Sequence, residues 1–215
     1  MTPFASGIRR RVAFTQLTRV FEHSEASSGR ALPIRKTGRG LWVPTPVRVL
    51  EEAIETLRGV GLLGEGPAGP VIDAGTGDGR LPAVLAFFNP GLTVYGIEAD
   101  PALHVQAVTN LQTLAARGLI DSARVQLIEA DYSDPATYER RGVVLHQTAV
   151  IFNYPDGNQW RLARFVSDRC GRDTLLCLLT HDRTLELDEL TLREGRDVSA
   201  GTGAPWRLSL YSRTV

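Results

Sequence analysis

Cysteine is scarce in this 215-residue chain: Cys170 and Cys177 are the only two. They form no C-x-x-C pair, and no His/Cys cluster has metal-ligand spacing, so the sequence predicts no metal site. Two thiols in a chain of this length fit a reducing compartment better than a disulfide-stapled secreted domain. No apolar run approaches the roughly 18 residues of a membrane span. The N-terminal segment also lacks the long apolar stretch of a signal peptide. These absences predict a cytoplasmic protein without a membrane partner. Net charge is missing as well, with 24 Lys+Arg against 24 Asp+Glu, so the total favours no polyanionic partner. Lysine is almost absent, Lys36 standing alone among arginines.

What charge there is lies unevenly. Residues 1–40 hold Arg9, Arg10, Arg11, Arg19, Arg30, Arg35, Lys36 and Arg39 against Glu22 and Glu25, a net +6 that leaves −6 for the remainder. Within that stretch, Ile8, Val12, Phe14 or Thr15, Leu17 and Phe21 recur at helical spacing. They predict an amphipathic helix over 8–22 with a basic outer face. Residues 25–40 are polar and glycine-containing, and read as a loop or arm. We therefore expect a basic helix and arm over 1–44, able to dock an acidic protein or nucleic acid, and a second unit over 45–215. A solvated face is the plain alternative for the arginines.

The second unit opens with a helix: Thr45 is its expected N-cap, Pro46 its first residue, and Val47, Leu50, Ile54 and Leu57 one apolar face. From Val71 the chain alternates between β-rich and helix-periodic segments. The strands are "PVIDA", "LTVYGIEA", "ARVQLIEA", "QTAVIFN" and "DTLLCLLT". The intervening helices are "RLPAVLAFF", "PALHVQAVTNLQTLAARGL", "PATYERR" and "NQWRLARFVSDRC". Such alternation builds a parallel sheet covered on both faces. The tail reads as two strands around a glycine-rich connection. Leu185, Leu187, Leu190 and Leu192 break phase, which predicts a bulge.

In an open parallel sheet, ligands bind beyond the carboxyl ends of the strands. Polar residues stand at four successive ends: Asp73 with Gly75, Gly77 and Gly79, then Glu98, then Asp131 and Tyr132, then Asn153 and Tyr154. The glycines run G-x-G-x-G, not the G-x-G-x-x-G of the dinucleotide fingerprint. A carboxylate at Asp73 opposes a pyrophosphate and suits an amine-bearing ligand. Glu98 is placed for a ribose diol. Asp131 with Tyr132 suits an adenine amino group and ring, although "DYSDPAT" is also a capping sequence. The set requires ribose, adenine and a cationic or amino-acid end, without phosphate; S-adenosylmethionine meets it.

Residues 71–80, 94–100 and 128–134 resemble the successive motifs of class I S-adenosylmethionine-dependent methyltransferases. The strand order and closing antiparallel pair are similar to that family across about 45–213. The resemblance implies a Rossmann-like, mostly parallel α/β sheet of seven strands with helices on both faces and a C-terminal antiparallel pair. It implies that Asp73, Gly75, Gly77 and Gly79 hold the methionine portion, Glu98 the ribose and Asp131 the adenine. "WVPTPVRVL", "VYGIEAD" and "AVIFNYPDG" also look like elements of the non-SET protein-lysine methyltransferases. On that likeness Trp42 and Thr45 lie over the cofactor, while Asn153 and Tyr154 face the methyl-transfer centre. "NYPD" departs from that subfamily's double asparagine and from the Asn/Asp-Pro-Pro-aromatic motif of nucleic-acid amino-methyltransferases.

The expected activity is methyl transfer to an amine nitrogen such as a protein lysine. The alternatives are a small-molecule or nucleobase acceptor, a non-catalytic cofactor-binding module and a nucleotide-dependent oxidoreductase. Asp156 reads as a turn residue that also stands near the acceptor. His181, after the fifth strand, is a candidate substrate contact, whereas His146 precedes the fourth strand and reads as structural. Trp160, Leu162 and Phe165 read as helix core.

Overall fold

The computed structural model describes residues 3–27, 34–38, 40–63, 69–181, 184–198 and 206–214, with side chains described from Gly7 to His23 in the first helix. That helix, α1, spans Pro3–Ser27, longer than the predicted 8–22. A hairpin of β1 (Arg35–Lys36) and β2 (Leu41–Trp42) follows, in a stretch expected to be a loop or arm. Thr37 closes its turn, donating from both N–H and Oγ1 to the Gly40 carbonyl. Next come α2 (Val47–Gly59), β3 (Val71–Ala74), α3 (Arg80–Phe88), β4 (Val94–Glu98), α4 (Pro101–Ala116) and β5 (Val125–Glu129). The chain continues through α5 (Pro135–Glu139), β6 (Val150–Asn153), α6 (Gln159–Arg169), β7 (Leu175–His181), β8 (Leu190–Val198) and β9 (Trp206–Arg213).

One seven-stranded sheet carries the order β5-β4-β3-β6-β7-β9-β8. The first five of these pair in parallel, and β9 and β8 close the sheet antiparallel. This is the architecture expected from the strand–helix alternation. The β8–β9 register shifts between Leu192 and Glu194, the bulge that the broken leucine phase implied. Residues 184–189 lie outside the strand, so the first half of that leucine run is not sheet. The glycine-rich connection at 199–205 lies outside the described residues.

Strand alternation divides the core. Val71, Val94, Val150 and Cys177 face one layer, with Phe14, Leu17, Leu50, Ile54 and Leu85 from α1, α2 and α3. Ile72, Ile97, Ile151 and Leu176 face the other, with Leu162, Phe165 and Val166 of α6. Burial of each such side chain contributes about 1.5–3 kcal/mol. α1 therefore packs within the main core through Phe14, Leu17, Val20 and Phe21. Ile8 and Val12, expected on the same face, are half exposed. At 100° per residue they project from the side opposite Leu17. Trp160 is likewise 51% exposed, while Leu162 and Phe165 are core as expected.

Topology places the functional end. β3 is flanked by β4 on one side and β6 on the other. Its following loop and that of β6 diverge across the sheet, leaving a crevice at their carboxyl ends, the switch point of a doubly wound sheet.

Candidate active site

A cavity occupies that crevice. It is lined by Trp42, Pro44, Thr45, Asp73, Gly75, Thr76, Glu98, Tyr132, Asn153, Tyr154 and Asp156, among others. The residues predicted from four strand ends and from the "WVPT" segment thus converge. Gly77, Gly79 and Asp131 belong to the same motifs but do not line it.

The glycine turn explains its own shape. Gly75 and Thr76 donate their N–H groups to the Ile97 carbonyl, both at 2.9 Å, and Gly79 donates to the Thr76 carbonyl at 3.0 Å. Gly77 donates to Glu98 Oε2 at 2.7 Å. These N–H groups are satisfied inside the protein, so they are not arrayed to capture a phosphate. Gly77 has φ +57°, and a Cβ there would stand 2.1 Å from Trp42 Nε1. The indole of β2 closes down on the turn because no side chain intervenes. Gly79, at φ +84°, starts α3 and lets it pack against Ala107 of α4. Its role is packing behind the cavity.

Oxygen acceptors dominate the polar lining. Asp73 is 4% exposed and accepts from Thr76 Oγ1 at 2.5 Å. Burial raises its pKa from 3.8 to about 7, with Glu98 and Asp78 adding to the rise and the Thr76 bond opposing it. Glu98 is also raised, chiefly by burial, against the N–H bonds it accepts from Asp100 and Gly77. Asn153 is 2% exposed. Its Nδ2 donates to the Ala74 carbonyl at 2.6 Å, while Oδ1 has no hydrogen-bond partner among the described residues. Two desolvated carboxylates and one orphaned amide oxygen, with apolar Leu81, Leu103 and Phe152 around them, form a pocket that favours a cationic, N–H- or O–H-bearing ligand.

The pair expected at the third strand separates. Tyr132 lines the cavity and donates to Asp156 at 3.1 Å; burial, with the Asp156 carboxylate, holds its phenol protonated. The Asp131 carboxylate accepts from the Ser133 N–H and hydroxyl and pairs with Arg161 at 3.2 Å. The helix cap that the segment also permitted is Asp134, which accepts from the Ala136 N–H at the start of α5, while Asp131 closes a local turn. Asp156 caps its turn through Asn158 N–H and reaches the cavity as well.

Thr45 corrects one expectation. The helix begins at Val47, Pro46 stands at the cap position, and no side chain caps it. The Thr45 carbonyl instead accepts from Arg80 Nη1 at 2.8 Å. Arg80 is the group that sequence reasoning missed. It pairs with Asp78 through two bonds of 2.9 and 2.6 Å and lies over the Phe21 ring. Asn110 of α4 donates to the Asp78 carbonyl. This buried pair ties the glycine turn to the "VPTP" segment, α1 and α4. Its one signal in the sequence was an acid and an arginine two residues apart at a strand-to-helix turn.

Tyr154 stands at the cavity's far wall, 5.8 Å from the Trp206 ring and edge-on to His181. His181 ends β7, does not line the cavity and lies against Trp206, with ring centroids 3.8 Å apart and the planes tilted by 42°. His146 sits before β6, at the opposite end of the sheet.

With this geometry in hand, solved structures supply a comparison. TrmN from Thermus thermophilus superposes with a TM-score of 0.54 at 22% identity over 75% of this chain, which spans about half of that protein's length (48%). The rRNA methyltransferase aviRa from Streptomyces viridochromogenes gives 0.59 at 17%, covering 83% and 88% of the two chains. Magnesium protoporphyrin IX methyltransferase from Synechocystis PCC 6803, solved with bound S-adenosylmethionine, gives 0.54 at 16%, covering 78% and 79%. The chain shares its fold with these proteins. At these identities the likeness is one of fold. No protein-family model matches the chain, and no curated protein matches its sequence. No helix among the described residues is long and apolar enough to cross a membrane.

Proposed function

We propose that the protein is an S-adenosylmethionine-dependent methyltransferase whose acceptor is an amine nitrogen, such as that of a protein lysine. The observation that carries this reading is the cavity's polarity. Asp73, Glu98 and Asn153 converge at the switch point with acceptor oxygens, while the turn's N–H groups are spent internally. Asp73 would hold the ammonium of the methionine portion. Glu98 keeps lone pairs for ribose hydroxyls beside its two N–H bonds. Tyr132 would offer its ring to the adenine, and Trp42 with Thr45 would cover the donor.

When bound, the donor supplies a methyl group already activated on a sulfonium, so the residues here bind, orient and exclude water. A lysine amine has a pKa of about 10.4 in water and attacks only after losing its proton. Tyr154, Phe152 and Leu179 make the approach apolar, which favours the neutral amine. Asn153 Oδ1 can accept one N–H and so aim the nitrogen lone pair.

Incubating the protein with methyl-labelled S-adenosylmethionine and an extract lacking it tests the reading. Label in protein bands that survives nuclease is the expected result, and label confined to RNA or small molecules rejects the amine acceptor on protein. One observation favours a nucleobase instead: Arg9, Arg11 and Arg19 are exposed on α1. Loss of labelling with rising salt would fit a polyanion docked there.

A further inference from the structure

Asp156 meets three parts of the chain at the edge of the cavity. Its carboxylate accepts from the Tyr132 hydroxyl, which lies 3.2 and 3.1 Å from the two oxygens, and Oδ1 also accepts from the Asn158 N–H at 2.9 Å. Its backbone seats the β1–β2 hairpin: a Cβ at Gly40 would stand 2.5 Å from the Asp156 carbonyl oxygen and 3.3 Å from its Cβ. Only glycine permits that approach. Tyr132 follows β5, Asp156 follows β6 and Gly40 precedes α2, so three separate segments close on one turn.

The hairpin is built to move as a unit. Its strands pair with each other and with no strand of the seven-stranded sheet. Thr37, Gly40, Leu41 and Trp42 line the cavity, so the hairpin forms one of its walls. At the other side of the cavity Arg35 pairs with Asp100, two residues past Glu98, at 3.6 Å. Their side chains are 36% and 15% exposed, and a pair so open to solvent holds weakly. The bonds at Asp156 involve a charged acceptor and are of the stronger kind.

We propose that Asp156 is a positioning residue for the donor site: its carboxylate holds Tyr132, its backbone seats Gly40, and together these fasten the hairpin as a strap that lifts to admit and release the donor. The proposal rests on the methyl-donor reading of the cavity. A bound donor gains the Trp42 contact only under the closed strap, so binding shifts the population toward closure.

Lys36 supplies the test. It is exposed in β1 and is the chain's only lysine, so lysyl endopeptidase has one cleavage site, inside the hairpin. The cleavage rate reads opening of the strap. Affinity for S-adenosylhomocysteine, an unreactive donor analogue, is measured first by calorimetry, and cleavage of the full chain is then followed with and without saturating analogue. The analogue should slow cleavage of the wild type at least tenfold. Tyr132→Phe keeps the ring and removes only the hydroxyl; with saturating analogue it should be cut at least fivefold faster than the wild type. Asp156→Ala should behave likewise, and the double variant should match either single one within twofold, because both break one link. Asp156→Asn keeps an acceptor oxygen and should restore protection. Gly40→Ala should speed cleavage of the free protein at least fivefold. Analogue binding that leaves wild-type cleavage unchanged overturns the proposal, as does full protection in Tyr132→Phe. Failure to bind the analogue at all overturns the donor reading instead.

Discussion

Protonation of Asp73 should control donor affinity, and the size of the effect follows from its burial. The carboxyl sits at a pKa of about 7 because desolvation outweighs its bond to Thr76. If the ligand's ammonium needs the carboxylate, the competent fraction is about 3% at pH 5.5 and about 76% at pH 7.5. Affinity should therefore rise about 25-fold over that interval, roughly 1.9 kcal/mol. The window ends at pH 7.5 because a free α-amino group titrates near 7.7–8.0. Stability without ligand should run the opposite way. An acid whose folded pKa lies above its unfolded one holds a proton that the unfolded chain releases, so stability falls as pH rises from about 4 to about 7. That loss is of order 4 kcal/mol. Asp73→Asn removes the charge, so it should raise the melting temperature at pH 8 while cutting affinity at least tenfold and flattening its pH slope. Calorimetry with S-adenosylhomocysteine from pH 5.5 to 7.5 reads the first effect, and thermal unfolding reads the second. A wild-type affinity flat within threefold, or an undiminished slope in Asp73→Asn, would refute the reasoning.

Three further perturbations have defined outcomes. Gly77→Ala forces a Cβ into the Trp42 indole at positive φ, so donor-analogue affinity should fall at least tenfold and the tryptophan emission should shift. Arg80→Met leaves Asp78 buried and unpaired, which should cost about 3–5 kcal/mol in urea unfolding, and Asp78→Leu added to it should recover part of that loss. Tyr154→Phe should keep methyl-transfer rates within about twofold, whereas Tyr154→Ala should lower kcat/KM at least tenfold, because the ring rather than the hydroxyl forms the wall.

The sheet was legible because its signals are local. Helix "RLPAVLAFF" coincides with α3, and each predicted parallel strand appears within a few residues. The convergence of Asp73, Glu98, Tyr132, Asn153 and Tyr154 followed from one rule about strand ends. What the sequence hid depends on side-chain direction and on distant partners. "DYSD" offers two acids, and in the structure Asp134 caps α5 while Asp131 turns to Ser133 and Arg161 rather than into the cavity. The β1–β2 hairpin is two residues a side and carries no periodicity to read. Arg80 resembles any first-turn residue until Thr45 and Phe21, far off in the chain, arrive around it. The orphaned oxygens of Asn153 and Gln159 appear only once every other partner has been placed.

The central claim is that the switch-point cavity holds a methyl donor and not a dinucleotide. Equilibrium dialysis of the purified chain against labelled S-adenosylmethionine and, separately, labelled NAD tests it directly. The account predicts one saturable S-adenosylmethionine site that Glu98→Ala weakens at least tenfold, with no saturable NAD binding. Saturable NAD binding without S-adenosylmethionine binding, or donor binding indifferent to Glu98→Ala, would contradict it.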